Sequence, residues 1–354
     1  MRITQGLLIG AAVVAFGGVG LWQLGCDDEP TGPRPPEGPK DYVLYWNRTG
    51  YDSAFFSYHT LSERLDTFYL PGSQIYDMNV SADGSRLYIS YSDKTRVIST
   101  LNHKVLADLP YSGWYGVSIS PDNRYFAVHS GNLRILSTAD YSVVFQDTLA
   151  FRTTAFSADG HRLYAPGPWS PCRSVYRLDL RHGFQSDFIC IPDDISISKV
   201  IPSRDEKLLF MFRSSGSCYW LFDVFDVEGD SLVFRDVVAP GCGDMVVTPD
   251  NESVFFTGPG DAHGWPPVVY SVARYGIRNQ TVDSLVFWSI CGVDYPTGAI
   301  GSDLVITPDG RLLAVVDLNP SRLTLFDCQL GDTARVLCFP GITGFWHVTC
   351  QSAR

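Results

Sequence analysis

Beyond residue 40, no stretch of this chain carries a 3.6-residue apolar period over a helix's length, so helices are not expected in its folded part. No CxxC pair occurs, which removes zinc ribbons and thioredoxin-type redox chemistry. HExxH, GxSxG, a phosphate-cradling glycine loop and an EF-hand acidic series are also missing, and with them the usual signatures of zinc proteases, serine hydrolases, nucleotide sites and calcium loops. No cofactor motif is present, so none is expected. Positive charge is scarce: 27 Lys and Arg face 38 Asp and Glu, for a net charge of −11. Such a surface repels phosphate backbones, and nucleic acid is not an expected partner.

What is present suits an all-β fold. Aromatic residues make up 13% of the 354 positions, beside 32 Gly and 22 Pro, a mixture that favours many short strands joined by turns. The single long hydrophobic run is N-terminal. Arg2 precedes an uncharged stretch from Ile3 to Gly25 that ends in "QLGC" before "DDEP", and it reads as an export signal. The run resembles a bacterial lipoprotein signal: Leu24, Gly25 and Cys26 match the lipobox, while Gln23 stands where that family usually has Leu. The resemblance implies a signal peptide over 1–25, lipidation of Cys26 and a bacterial cell-envelope, extracytoplasmic, membrane-anchored location. An uncleaved anchor is the alternative, since about 20 apolar residues span a bilayer. Residues 26–40 hold five prolines in "DDEPTGPRPPEGPK" and read as an extended linker. The folded domain is expected over 41–354.

Eight cysteines remain after Cys26, an even number in a compartment where disulfides persist. Sequence proximity suggests Cys172 with Cys190, Cys218 with Cys242 and Cys328 with Cys338, leaving Cys291 with Cys350 by elimination.

The strongest signal is a recurring phrase. "SADGSRLYIS" returns as "SPDNRYFAV", "SADGHRLYAP", "SRDEKLLFMF", "TPDNESVFFT" and "TPDGRLLAVV", placing turn aspartates at Asp83, Asp122, Asp159, Asp205, Asp250 and Asp309, 39, 37, 46, 45 and 59 residues apart. Ser/Thr, Pro, Asp and Gly/Asn suit a tight hairpin turn, because Pro presets φ, Asp bonds the local backbone and Gly accepts positive φ. Two further strand-like runs follow each hairpin, giving four strands per repeat. The phrase resembles the repeat of YVTN-type and WD40-like β-propellers over about residues 42–350. Three turn-free runs at the start ("YVLYW", "SAFFSYH", "RLDTFYL") and one at the end ("GFWHVTC") are left over. Together they predict a seventh blade that closes a seven-bladed ring of four-stranded sheets and removes exposed sheet edges.

Function is expected where the repeats differ. Loops joining the second and third strands, and those joining successive blades, share one face. They carry Trp114, Tyr115, Trp169, Trp265, Trp346 and His347, rigid aromatic residues suited to stacking on a sugar or anchoring a partner chain. Packing between blades is the alternative role for each. Asp261 and His263 lie close enough in sequence to serve one site as acid and base. His103 and His161 read as turn or surface residues. Asp77, Asp244 and Asp303 each stand four residues before the Ser or Thr of a turn. They are expected to bond backbone amides where inner strands begin; gathering a hard cation is the weaker reading. The leading expectation is a binding module for an envelope or extracellular protein or glycan. The alternatives are an enzyme resembling propeller lactonases or lyases, and a structural component of an envelope assembly, which would show an apolar lateral patch.

Overall fold

The computed structural model describes residues 40–48, 54–70, 74–113, 115–149, 151–167, 173–191, 195–214, 220–238, 244–259, 270–286, 303–318, 321–328, 332–338 and 345–352. The chain divides into two units, Met1–Gly38 and Pro39–Arg354, of which the first lies outside the described residues.

Each repeat folds into one antiparallel four-stranded sheet. The first complete sheet holds β4 (Ile75–Val80), β5 (Arg86–Tyr91), β6 (Thr95–Ser99) and β7 (Val105–Leu109). The second holds β8 (Gly116–Ile119), β9 (Tyr125–His129), β10 (Leu133–Ser137) and β11 (Val143–Asp147). The third holds β12 (Ala155–Phe156), β13 (Arg162–Pro166), β14 (Ser174–Asp179) and β15 (Gln185–Cys190). The fourth holds β16 (Ser196–Pro202), β17 (Leu208–Ser214), β18 (Trp220–Asp226) and β19 (Ser231–Val238). The fifth holds β20 (Met245–Val247), β21 (Ser253–Pro259), β22 (Tyr270–Gly276) and β23 (Thr281–Val286). The sixth holds β24 (Asp303–Ile306), β25 (Leu312–Leu318), β26 (Ser321–Asp327) and β27 (Asp332–Cys338).

The seventh sheet joins the two ends of the folded unit. Its order is β28 (Phe345–Ser352), β1 (Tyr42–Arg48), β2 (Ala54–His59) and β3 (Leu65–Tyr69), with Leu44 opposite Cys350 and Trp46 opposite Val348. First strands of successive sheets lie side by side, so the sheets form a ring of seven blades around a channel. The fold is a seven-bladed β-propeller, closed as the leftover runs predict.

Packing on both blade faces explains why the central strands are apolar throughout rather than alternating. In β1, Val43 and Tyr45 point to one side and join Met78, Leu87 and Ile89 of the next blade. Leu44 and Trp46 point to the other and join Ala314, Val316, Leu323 and Leu325 of the preceding one. Each fully buried Leu, Ile or Phe in these layers contributes roughly 1.5–3 kcal/mol.

Six copies of one hydrogen-bonded turn fix the first two strands of six blades. The Ser/Thr hydroxyl donates to the Asp two residues on at 2.5–2.7 Å, from Ser81 to Asp83 through to Thr307 to Asp309. The same hydroxyl accepts an amide five residues on at 2.9–3.0 Å. The residue after each Asp adopts positive φ, which is why Gly84, Gly160 and Gly310 or Asn123 and Asn251 stand there. Glu206 is the exception at φ 58, and its carboxylate is held by Arg162 at 3.0 Å and by the Tyr164 hydroxyl at 2.5 Å. The turns also touch each other: the amides of Ala82 and Arg204 donate at 2.8 Å to Asn123 and Asn251 of the following blade.

Two cysteine pairings suggested by sequence are not made. Cys328 and Cys350 are free thiols. In the β26–β27 hairpin, Asp327 faces Asp332 whereas Cys338 faces Arg322, so Cys328 and Cys338 sit at opposite ends of the ladder. That separation is about 20 Å along the strand, against less than 7 Å between Cα atoms for a disulfide. Cys350, in β28 against the apolar layer around Trp46, is a free thiol and does not bond Cys291, and burial raises its pKa. Burial and then Asp327 push the Cys328 thiol up to about 12. Cys172, Cys218, Cys242 and Cys291 lie outside the described residues.

Truncation before Phe345 is expected to abolish cooperative melting, because β1 would lose its ladder partner and Trp46 its cover; a calorimetric scan checks this. The turn carboxylates generate a pH dependence. Burial alone would raise Asp122, Asp159, Asp205, Asp250 and Asp309, but the Ser/Thr hydroxyl and backbone amides outweigh it and hold each below the usual carboxylate range. With folded values below unfolded ones, the unfolded chain takes up protons first. This stability is complete well above about pH 4 and is lost as pH falls through the folded values. Melting points measured from pH 7 down should be flat and then fall, and Asp→Asn at several turns should blunt the fall.

Candidate site at the channel mouth

The Ser/Thr-x-Asp turns join first to second strands, so they lie at one end of the ring. The segments joining second to third strands, and one blade to the next, lie at the other. Every loop that carries a candidate residue belongs to that second end. Trp114 and Tyr115 lie between β7 and β8, Trp169 between β13 and β14, and Asp261, His263 and Trp265 between β21 and β22, while Trp346 and His347 fall in β28. Trp114, Trp169, Asp261, His263 and Trp265 are outside the described residues, and for Trp346 and His347 only the strand position is described. Tyr115 is described and is 48% exposed, immediately before the first residue of β8.

First strands of neighbouring blades have no ladder between them, so side chains bridge their backbone groups. Asp77 accepts the Met78 amide at 2.7 Å and, across the blade boundary, the Val117 amide at 2.8 Å. Asp303 repeats this with Leu304 at 3.1 Å and Val348 at 2.9 Å. Ser118 bonds Thr154 at 2.6 Å, and Thr153 reaches the Ser198 carbonyl at 3.4 Å. Asp244 accepts the Met245 amide at 2.6 Å and pairs with Lys199 of the preceding blade. Amide bonding is therefore the observed work of Asp77 and Asp303, and among the described residues no group of His, Cys, Asp and Glu is arranged to hold a metal.

Counting four residues back from each turn hydroxyl gives Asp77, Gly116, Thr153, Lys199, Asp244 and Asp303, and β28 places His347 at the same level through the Asp303–Val348 bond. One position per blade thus rings the channel mouth. Lys199, Gly116 and Thr153 were missed in the sequence, although the count that found the three aspartates reaches them. Lys199 has a side chain 25% exposed; burial lowers its ammonium pKa, opposed by Asp303 and Asp77 across the mouth. In the same blade, buried Arg213 donates to Asp223 at 2.7 Å and to the Ile195 carbonyl at 3.1 Å, tying the segment that leads into β16 to its own blade. Arg235 completes the cluster with 2.9 Å bonds to both oxygens of Asp223.

Gly116 itself carries no side chain, and the Asp77 carboxylate fills the place its Cβ would take. His129 lies opposite Gly116 in the ladder, 2% exposed, with burial pushing its pKa down to about 4, so it is neutral at pH 7.

No protein-family model matches this chain, and no curated protein matches it. Solved structures do. A putative 6-phosphogluconolactonase from Bacteroides fragilis is 11% identical with TM-score 0.61, covering 90% of this chain and 100% of its own. The β-propeller domain of Cps50 (Swd1) from Myceliophteria thermophila is 10% identical with TM-score 0.61, over 77% and 90%. The dihydro-heme d1 dehydrogenase NirN, in complex with DHE, is 14% identical with TM-score 0.56, over 90% and 77%. Proteins described in such different terms share this architecture at these identities, so the likeness shows the fold alone.

Gly116→Ala is expected to cost roughly 2–3 kcal/mol in urea denaturation, since φ is +129° and a Cβ would stand 2.6 Å from an Asp77 oxygen. Gly131→Ala, at φ +96° with nothing within 4 Å, separates backbone strain from that clash and should cost only about 1 kcal/mol.

Proposed function

We propose that this chain is a binding module of the YVTN/WD40-like propeller type, held to the bacterial envelope through Cys26 and presenting its channel-mouth face to an envelope or extracellular protein or glycan. One observation carries the reading: the two ends of the ring differ in kind. One end repeats a single turn six times, whereas the other carries Lys199, Asp244, Asp77 and Asp303 and, before β8, the exposed ring of Tyr115. Structure conserved from blade to blade serves stability; residues that change between blades at one rim are where recognition is built. The export signal and the pairing of Cys172 with Cys190 belong to the same reading, and a disulfide state at Cys190 supports the second.

A second reading, docking within an assembly through the blade sides, is favoured by one feature. Tyr69, Leu106, Val143, Val144 and Phe188 are exposed apolar residues on the outer strands of four consecutive blades.

Affinity capture separates the two. The immobilised full chain is exposed to solubilised envelope and a glycan array beside a Trp114, Tyr115 and Trp265→Ala variant with an unchanged melting point. The mouth reading expects capture that the variant loses by at least about tenfold. Capture retained by that variant but lost on Tyr69, Leu106 and Phe188→Ser moves the interface to the blade sides. No capture by the wild type overturns both and turns attention to hydrolase and lyase substrates.

A further inference from the structure

The turns joining third to fourth strands lie at the same end of the ring as the Ser/Thr-x-Asp turns. The Thr100 hydroxyl donates to the Gly84 carbonyl at 2.6 Å, and the Leu180 amide to the His161 carbonyl at 2.9 Å. The chain enters the folded unit at this end too. The Tyr42 carbonyl, at the start of β1, accepts the Thr60 amide at 2.9 Å, and Asp41 accepts the Leu61 amide at 2.8 Å, so the linker that precedes Lys40 joins beside the β2–β3 turn.

In the seventh and first blades this turn has an apolar tip: Leu61 is 51% exposed and Leu101 78%. Each stands two residues before the positive-φ residue of its turn, Glu63 or His103. The same position holds Ala139, His182, Glu228 and Arg278 before Tyr141, Phe184, Asp230 and Gln280. Turn geometry therefore asks for no leucine there. Bulges extend the apolar surface. The first blade pairs Val97 with Ala107 and then Ile98 with Val105, and the second pairs Ile135 with Phe145 and then Leu136 with Val143. Leu106 and Val144 are the extra residues, exposed beside Val105 and Val143. The three blades are joined at this end: the His103 ring lies 3.8 Å from that of Phe68 in β3, and Arg86 of the first blade donates to the Thr138 carbonyl of the second at 2.5 Å.

Pairing with a protein would call for Trp, Tyr or Arg in a pocket, and Leu and Val are under-represented at such anchors. Here Leu and Val stand on projecting turns, beside Arg64 and Lys104. Although the whole chain has a net charge of −11, these turns in the seventh to third blades hold Arg64, Lys104 and Arg181 against Glu63 and Asp140, so anionic headgroups are not repelled. Apolar residues flanked by cations suit the boundary between headgroups and acyl chains. A few leucines bind a bilayer weakly by themselves, but a tether joining at the same end makes their contact intramolecular.

On the reading that Cys26 holds the chain to the envelope, we propose that the turn end of the seventh, first and second blades rests on the bilayer. Leu61, Leu101, Leu106 and Val144 dip into the headgroup boundary, and the channel mouth faces away from the membrane.

The test uses the full chain reconstituted in vesicles of phosphatidylethanolamine and phosphatidylglycerol, with a photoreactive benzophenone side chain placed in turn at Leu101, at Val144 and, at the mouth end, at Tyr115. Flotation comes first: a chain that stays off the vesicles overturns the anchored reading and this orientation with it. For a chain that floats, irradiation should give lipid adducts at Leu101 and Val144 about tenfold above those at Tyr115. Leu61→Ser with Leu106→Ser, at unchanged melting point and flotation, should lower the lipid adducts at Val144 about tenfold. If serine lowers the melting point, Leu61→Gln with Leu106→Gln takes its place. Equal lipid labelling at both ends, labelling at Val144 that the double variant retains, or adducts to a second copy of the chain instead of lipid overturn the orientation while the anchored binding module stands.

Discussion

The pairing of β28 with β1 is the constraint on which this structure rests. Six blades are contiguous in sequence, but the seventh is made by chain segments some three hundred residues apart, and only their ladder converts an arc into a ring. Closure buries both faces of every blade. Trp46 has neighbours on its outer side only because the last blade has come round to meet the first. Without the ring, β24 would also lose the β28 amide that Asp303 accepts, and β4 the Thr349 hydroxyl that accepts the Val80 amide at 3.2 Å. Stability is therefore shared around a circle, and a loss at one seam is felt by both neighbours.

Within that ring, two demands are met at opposite ends. The Ser/Thr-x-Asp turn satisfies its own amides with a hydroxyl and a carboxylate, then lends an Asn to the blade before it. It needs nothing from the other face, so the mouth loops are free to differ in length and chemistry without disturbing the blade. The aspartates at the mouth work differently. They bridge first strands that cannot pair by backbone, which is why polar residues line a channel surrounded by apolar layers.

Much of this was legible. A turn phrase returning six times fixes the hairpins, because the Ser/Thr, Asp and Gly or Asn each have a local bonding role that needs no tertiary context. The leftover runs at both ends give the closure by count alone. The amide role of Asp77 and Asp303 follows from their register. What escaped depends on which atoms meet across a ladder or a boundary. Cys328 and Cys338 are near in sequence, yet a hairpin reverses direction, and the register that separates them is set by the Asp327–Asp332 end. Lys199 escaped because only the aspartates at that position were singled out, although it stands at the same count before its turn, and its partner is supplied only when two blades come together. His129 gives no sequence signal at all, since its burial is imposed by the neighbouring blade and by the missing side chain at Gly116.

The mouth can be divided by asking what the fold itself requires. Asp77 and Asp303 each satisfy two backbone amides, so an apolar residue there would strand donors at a blade boundary, and their presence needs no ligand to explain it. Among the described residues Lys199 bonds no backbone group through its ammonium. Its ammonium is drawn from water into the ring and is compensated, among the described residues, by Asp244 at contact and by Asp303 and Asp77 at longer range, an arrangement that well-packed apolar side chains often match in stability. The cross-blade pair of Lys199 and Asp244 is thus the portion of the ring that folding does not demand. That pair sits at the end of the ring opposite the six repeated turns, at a level where each blade carries its own residue.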